Sequence, residues 1–224
     1  MASPATEIAD RRYTMQEYLD IVETLEGKYE YVDGKLVDWR AMAGAAEPHA
    51  LITANIIGEA REALKGKPCR VYLSDLILRI HRKSKYRFGD VVVVCGTTEF
   101  DPDDKSQARA VTNPKLIIEV MSPTSEGIDR GEKFTDYREI PSFEEYVLVS
   151  QREPAVESYR RQDDGTWVVS FINGLDAEVR LQSIDLTLSL REIFAGVTFP
   201  VPQAGVVTRA DHPVTREAKV SKDR

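Results

Sequence analysis

The sequence predicts a mixed α/β domain, an α+β arrangement in which helices flank a central mixed sheet. Two unbroken apolar runs, residues 91–94 and 116–118, are typical of central strands that are buried on both faces. Apolar residues at helical spacing between residues 48 and 64 predict an amphipathic helix. The Asp-Gly pair at residues 33–34, between two β-prone runs, predicts a hairpin.

The N-terminal part begins with an expected flexible leader, residues 1–12. Thr14 is placed to cap a helix over about residues 15–26, and Glu17 stands where a capping box requires it. The hairpin over residues 29–37 and the helix over about residues 48–64 follow.

Strands and one further helix account for the remainder of the predicted domain. Strands are expected at residues 69–73, 76–80, 90–95, 115–121, 145–149, 155–160 and 167–171. A capped helix is expected over about residues 125–139, and a strand with a short helix over residues 184–195. A single domain would therefore cover residues 13–200, followed by a mostly disordered tail at residues 201–224.

Composition narrows the class of protein. Acidic residues (37) outnumber basic residues (30), so the net charge of −7 argues against a protein that simply coats nucleic acid. No apolar run is long enough to span a bilayer, so no membrane association is expected. Cys69 and Cys95, without an export signal, are interpreted as reduced core thiols, and a cytoplasmic location is expected.

Familiar catalytic motifs are missing from the sequence. The three histidines are far apart, and no zinc, Walker, Rossmann or Gly-x-Ser-x-Gly pattern occurs. Enzyme chemistry would therefore have to come from carboxylates, lysines and an oxygen-preferring metal such as magnesium.

Two carboxylates in the predicted central strands carry the functional hypothesis. Asp90 opens one apolar strand and Glu119 lies near the end of another, and their mutual repulsion would be relieved by a divalent cation. Lys133 lies on the next helix, where it can lean towards Glu119, and Tyr137 shares its helix face. Glu30 is a further candidate acid. Such a set fits metal-assisted phosphodiester hydrolysis.

Simpler interpretations of these residues stay open at this point. Glu119 could face solvent at a sheet edge, Asp90 could cap a turn, and Lys133 could be a solvated helix lysine. Tyr137 could belong to the core, and Glu30 could pair with Lys35 across the hairpin.

A family resemblance is carried by several segments that occur in order. They are the hairpin at residues 29–37, His49, Asp90-Val91-Val92-Val93-Val94, Ile118-Glu119-Val120-Met121-Ser122-Pro123-Thr124-Ser125, Asp129-Arg130-Gly131-Glu132-Lys133, Tyr137-Arg138 and the strand at residues 145–149. Over about residues 14–195 the sequence resembles the Uma family of restriction-endonuclease-like proteins, within the PD-(D/E)XK nuclease superfamily. The resemblance implies a restriction-endonuclease-like fold.

The resemblance also implies a magnesium- or manganese-dependent site for cutting DNA. Asp90, Glu119, the Val120 carbonyl and Glu30 would be metal ligands by position. The superfamily lysine, usually two residues after the second acid, would be replaced by Lys133, with Tyr137 as its support. Where the family usually has proline before the first acid, this chain has Gly89.

A basic segment just before Asp90 is the candidate DNA contact. Five of its nine residues, 79–87, are basic: Arg79, Arg82, Lys83, Lys85 and Arg87. A solvated turn is the other interpretation of this segment. The functional hypotheses are a metal-dependent endonuclease, a non-catalytic DNA-binding or regulatory module with the same fold, and a phosphohydrolase for small substrates. A homodimer is expected because duplex cleavage needs two cuts.

Overall fold

The computed structural model describes residues 11–39, 47–105 and 110–199, and the backbone of residues 217–220. Its strands form a seven-stranded mixed sheet, a four-stranded antiparallel sheet and a two-stranded hairpin, with helices packed against them. This mixed α+β architecture confirms the fold class predicted from the sequence and is consistent with a restriction-endonuclease-like fold.

Helices and strands of the first half lead up to the first predicted acid. In chain order they are α1 (Met15–Ile21), β1 (Tyr29–Val32), β2 (Lys35–Asp38), α2 (Glu47–Ala63), β3 (Cys69–Leu73), β4 (Ile77–Ile80), β5 (Lys85–Phe88) and β6 (Val91–Cys95). Strand β6 follows Asp90 directly.

The second half begins with the strand that carries Glu119. In chain order it contains β7 (Leu116–Met121), the helical stretch α3, β8 (Glu145–Ser150), β9 (Ala155–Arg161), β10 (Trp167–Asn173), β11 (Glu178–Leu181), β12 (Leu186–Ser189), α4 (Leu190–Ile193) and β13 (Glu217–Val220). Stretch α3 has three parts, namely Glu126–Ile128, the π-helical turn Asp129–Lys133 and Phe134–Tyr137.

The order of the large sheet places both acid-bearing strands in its interior. The seven strands run β13-β10-β9-β8-β7-β6-β3, and β7 and β8 form a parallel pair that α3 connects. The smaller sheet has the order β2-β1-β5-β4. Strands β6 and β7 are therefore covered on both edges.

Each face of the large sheet carries its own hydrophobic core. Val91 and Val93 point towards α2 and pack with Ile52 and Ile56, whereas Val92 and Val94 join the core under α3. This alternation is the reason for the unbroken valine run, since a strand buried on both faces has no polar face. The prediction of two central strands is confirmed.

Local signals near the N-terminus are also confirmed. The Thr14 hydroxyl accepts from the Glu17 N–H while the Glu17 carboxylate accepts from the Thr14 N–H, which completes the capping box. Asp33 and Gly34 have φ of 51° and 86°, the left-handed values that a two-residue hairpin turn requires. The helix itself ends at Ile21, because the Thr24 hydroxyl donates to the Ile21 carbonyl and competes with the helical pattern.

The tail and the leader are only partly described. Residues 217–220, within the tail, pair antiparallel with β10, and the mostly disordered tail stays a prediction. The remaining tail residues 201–216 and 221–224, and leader residues 1–10, lie outside the described residues. Arg12 of the leader donates to the Asp33 carbonyl.

The two cysteines correct another prediction. Cys69 of β3 and Cys95 of β6 are direct partners in the antiparallel register and form a disulfide, with Cα atoms 3.9 Å apart. They are therefore not the separate reduced thiols expected from the sequence. The disulfide depends on the register of β3 and β6, and the sequence spacing of the two cysteines does not reveal that register. Among the described residues, no helix combines the length and apolar character that a bilayer crossing requires.

Candidate metal and nuclease site

Strand register brings Asp90 and Glu119 together. Val91 pairs with Ile118, so Asp90 and Glu119 stand one step further along neighbouring strands. Both side chains are buried, at 3% and 2% exposure. The Val120 N–H donates to Asp90 Oδ2 at 2.7 Å, which ties the first acid to the strand of the second. Neither acid faces solvent, so the sheet-edge and turn-cap interpretations do not hold.

Glu119 points to the face of β7 that α3 covers. Its side chain lies on the same side of the strand as those of Ile117 and Met121, which belong to the core under α3. Lys133 Nζ donates to Glu119 Oε2 at 3.0 Å. The Tyr137 hydroxyl lies 3.0 Å from Glu119 Oε1 and 2.9 Å from the Phe88 carbonyl. The sequence-predicted trio of Glu119, Lys133 and Tyr137 is therefore assembled in the structure.

A third acid, Asp129, stands beside Lys133. Asp129 and Lys133 open and close the π-helical turn, a rare element that is frequent at functional sites. Asp129 Oδ1 lies 3.2 Å from Lys133 Nζ. Asp129 is 1% exposed, and no hydrogen bond from the described residues reaches its Oδ1. The ion pair with Lys133 is therefore the contact that compensates this buried carboxylate oxygen.

The charges of this cluster shift two pKa values strongly. Burial raises the pKa of Glu119 well above its usual range; Lys133 opposes this effect, whereas Asp90 and Asp129 add to it. Burial alone would lower the pKa of Lys133, but the neighbouring charges of Glu119 and Asp129 outweigh it and raise that pKa. The cluster therefore favours the charged form of Lys133 and disfavours the charged form of Glu119.

The cluster surrounds a small cavity of about 10 Å³. Asp90, Glu119, Asp129 and Lys133 line it, together with Trp39, His49, Val120 and Ser125. A volume of roughly 10–15 Å³ holds one water molecule, so one water or one small ion fits. His49 Nε2 lies 3.1 Å from Asp90 Oδ2, at the N-terminal end of α2.

The oxygen atoms that line this cavity are of the type that a hard cation prefers, but their arrangement fits such a cation less well. Carboxylate and carbonyl oxygens are what Mg²⁺ prefers, and the Asp129 carboxylate, which is paired with Lys133, adds to them. In the described part of the chain, however, no three His, Cys, Asp or Glu side chains are arranged to hold one metal ion together. Binding through one or two carboxylates with water as the other ligands, which is usual for Mg²⁺, needs no such group of three.

Glu30 is not at this cavity. Arg87 Nη1 donates to Glu30 Oε2 at 2.8 Å, and the Phe88 N–H donates to Glu30 Oε1 at 3.0 Å. Both carboxylate oxygens of Glu30 therefore accept from protein donors, and its predicted metal contact stays a prediction. The alternative pairing with Lys35 is not seen either, because Glu30 stands opposite Val37.

The basic segment is mostly interior, which corrects the predicted DNA contact for three of its residues. Arg79 pairs with Asp101 at 3.1 Å, Lys85 donates to Asp136 at 3.1 Å, and Arg87 bridges Glu30 and Asp136. Strands β4 and β5 carry these side chains into the interior, where buried acids on other elements compensate their charge.

Arg82 and Lys83 are the two predicted contact residues that stay at the surface. Their side chains are 75% and 35% exposed, and they lie 3.5 Å from Glu139 and 3.9 Å from Asp136, respectively. The positive surface beside the site is therefore smaller than the sequence indicates.

A larger cavity of about 390 Å³ lies elsewhere, between the β9–β10 face of the sheet and β11. Its buried acid, Glu145, accepts from the Ser183 hydroxyl at 2.7 Å and from the backbone N–H groups of Gln182 and Ser183. A carboxylate so fully occupied by protein donors is a structural anchor. The small cavity, where three buried acids meet one lysine, is the better candidate for chemistry.

Sequence reasoning missed part of this site. The four-residue spacing places Asp129 one turn before Lys133 on the same side of the helix, but the sequence offers no reason to assign Asp129 a role in the site. His49 was present in the resemblance without a role. No local pattern marks Trp39, which reaches the cavity only through the tertiary fold.

Comparison with known proteins shows the family of the chain. The chain is 33% identical to the uncharacterized protein slr1290 of Synechocystis over 184 residues. The matched region covers 82% of this chain and 92% of that relative. It is 34% identical over 166 residues to the uncharacterized protein sll1609 of the same organism, covering 74% and 90%. The model of the Uma2 family matches residues 3–192. The chain therefore belongs to the Uma2 family, which is described as "Putative restriction endonuclease", and this membership suggests nuclease activity.

Proposed function

We propose that this protein is a magnesium-dependent endonuclease that hydrolyses DNA phosphodiester bonds at the small cavity. The observation that carries the proposal is the convergence of two buried acids from adjacent central strands with a buried lysine from the next helix. Membership of a restriction-endonuclease family supports DNA as the substrate.

Charge supports a divalent cation in this cavity. Asp90, Glu119 and Asp129, when ionised, carry three negative charges against one positive charge on Lys133, a balance of −2. Water is largely excluded, so this excess would be costly without a counter-ion. Glu30 and Asp136, in contrast, are already matched by Arg87 and Lys85. A bound Mg²⁺ or Mn²⁺ would neutralise the excess and acidify a water for attack.

Asp90, Glu119 and the Val120 carbonyl are the proposed protein ligands. In a strand, the N–H and the carbonyl of one residue point to the same side. Because the Val120 N–H faces Asp90, the Val120 carbonyl faces that side as well. Glu30 stays a weaker candidate, since it would have to leave Arg87 and the Phe88 N–H to take part.

Lys133 and Tyr137 would act on the substrate side of the same site. The ammonium group of Lys133 can orient an attacking water and stabilise negative charge that develops on the phosphate. Tyr137 would support this arrangement, because its hydroxyl fixes Glu119 Oε1 and keeps Oε2 next to Lys133. Phosphate contacts would come from the exposed Arg82 and Lys83, so binding should be weak and salt-dependent.

Plasmid cleavage tests the proposal. Supercoiled DNA is incubated with the wild type in Mg²⁺, Mn²⁺ or EDTA, and with Glu119→Gln, Lys133→Met and the control Glu132→Gln. Glu132 lies in the same helical turn as Lys133, but its side chain is 70% exposed. We expect metal-dependent cutting by the wild type and the control, and a loss of about 10²-fold or more in the two site variants. Equal activity in all four proteins refutes the proposal.

A non-catalytic DNA-binding or regulatory module is the second candidate. It is favoured by the fact that Asp90 and Glu119 both accept hydrogen bonds from protein donors, and by the small exposed basic surface. Calorimetry distinguishes the two, since Mg²⁺ or Mn²⁺ binding that Asp90→Asn abolishes favours the enzyme. DNA binding without metal binding favours the module.

A homodimer would let two copies cut both strands of a duplex. Light scattering of the purified chain tests this expectation. A mass near twice 25.2 kDa supports a dimer, and a mass of one chain contradicts it.

A further inference from the structure

We propose that Asp129 is the counter-charge that allows Lys133 to remain beside a divalent cation, and that it acts as a positioning residue for that lysine. This inference rests on the proposed function, because it concerns the same cavity. It assigns the third acid of the site to Asp129 in place of Glu30.

Lys133 is shared between two acids. Its Nζ lies 3.0 Å from Glu119 Oε2 and 3.2 Å from Asp129 Oδ1, and the lysine is 3% exposed. If Glu119 turned its charge to a cation, Lys133 would be a buried ammonium group next to a second positive ion. Asp129 is then the remaining acid in contact with Lys133 among the described residues.

Asp129 is placed for this task and for little else. Its side chain is buried, lines the cavity and uses Oδ1 for the ion pair with Lys133. Keeping such a group costs stability unless its charge is used. The Tyr146 hydroxyl donates to the Asp129 carbonyl, so the backbone is fixed independently of the carboxylate.

The consequence is a competition that Asp129 prevents. Without its charge, Lys133 would depend on Glu119 alone, and the lysine and the cation would compete for one carboxylate. Loss of Asp129 should therefore weaken metal binding because of Lys133, and removal of Lys133 should relieve that weakening.

A double-mutant cycle read by calorimetry tests this coupling. MnCl₂ is titrated into the wild type, Asp129→Asn, Lys133→Met and the double variant, without DNA. We expect Asp129→Asn to weaken Mn²⁺ affinity by about 10- to 100-fold in the wild-type background. In the Lys133→Met background the same substitution should have at most a few-fold effect. Glu132→Gln, an exposed acid of the same turn, should leave the affinity unchanged.

Other outcomes overturn the inference. Equal losses in both backgrounds would make Asp129 an independent ligand, and no loss in either would remove its role. A wild type that binds no Mn²⁺ contradicts the metal requirement of the proposed function as well, so the two failures are distinguishable. Thermal unfolding checks that each variant is folded. If Asp129→Asn does not fold, Asp129→Ser replaces it in the cycle, since it also removes the charge.

Discussion

Replacement of Arg87 by methionine separates a structural arginine from a DNA-binding one. The Arg87 side chain is buried between Glu30 and Asp136, with N–O distances of 2.8 Å to Glu30 and 2.6 Å to Asp136. Methionine fills similar space without charge. The substitution therefore leaves two buried acids with fewer partners, and at the surface it removes only the 3.6 Å contact with the exposed Glu132.

The expected loss follows from the burial of the partners. Breaking a buried ion pair from one side costs about 3–5 kcal/mol, because the remaining charge stays desolvated. Glu30 is 0% and Asp136 1% exposed, and Lys85 still compensates Asp136. The lower end, about 3 kcal/mol, is therefore expected. Arg82→Met is the matched control, since the Arg82 side chain is 75% exposed and a surface change costs within about 0.5 kcal/mol.

Urea unfolding measures the free energy of unfolding of the two variants and the wild type, and filter binding measures their affinity for duplex DNA. We expect Arg87→Met to lose stability and Arg82→Met to lose DNA affinity. An Arg87→Met protein that is as stable as the wild type but binds DNA poorly would refute the structural interpretation of this arginine.

Three further predictions concern other positions. A Cβ atom at Gly89 would lie 2.8 Å from Ile117 Cγ2, so Gly89→Ala should cost about 1–3 kcal/mol in urea unfolding; an unchanged midpoint contradicts this close approach. Thr14→Ala removes the side-chain cap of α1 and should cost about 1 kcal/mol, whereas Gln16→Ala, on the same exposed turn, should cost less. Burial raises the pKa of Glu145, so the stability that its protonated form contributes is present below the unfolded pKa and is lost as pH rises through the folded pKa. The stability of Glu145→Gln relative to wild type should therefore increase as the pH rises above the ordinary pKa of a glutamate, and a constant difference would be contrary evidence.

Much of the fold was predictable because its signals are local. The capping box of Thr14, the Asp33-Gly34 turn and the valine run of β6 each depend on neighbours in sequence. The pair of Glu119 and Lys133 was within reach for the same reason, since a short link joins β7 to α3. The position of Asp90 opposite Glu119 depends on the register of β6 and β7, and the sequence pattern of buried strands does not determine that register.

Contacts between distant segments were not predictable. Arg87 meets Glu30 across 57 positions, and His49 meets Asp90 across 41. A cluster of basic residues therefore looks like a DNA contact in sequence, although the fold supplies acids that neutralise it inside. The disulfide between Cys69 and Cys95 depends equally on strand register.

The position of a bound metal is the most direct test of the central claim. Crystals soaked in MnCl₂ and measured at the manganese absorption edge should give an anomalous peak between Asp90 and Glu119, with Lys133 Nζ next to it and Asp129 facing that lysine. A peak elsewhere in the molecule, or no peak at saturating Mn²⁺, would contradict a metal-dependent nuclease site in this cavity.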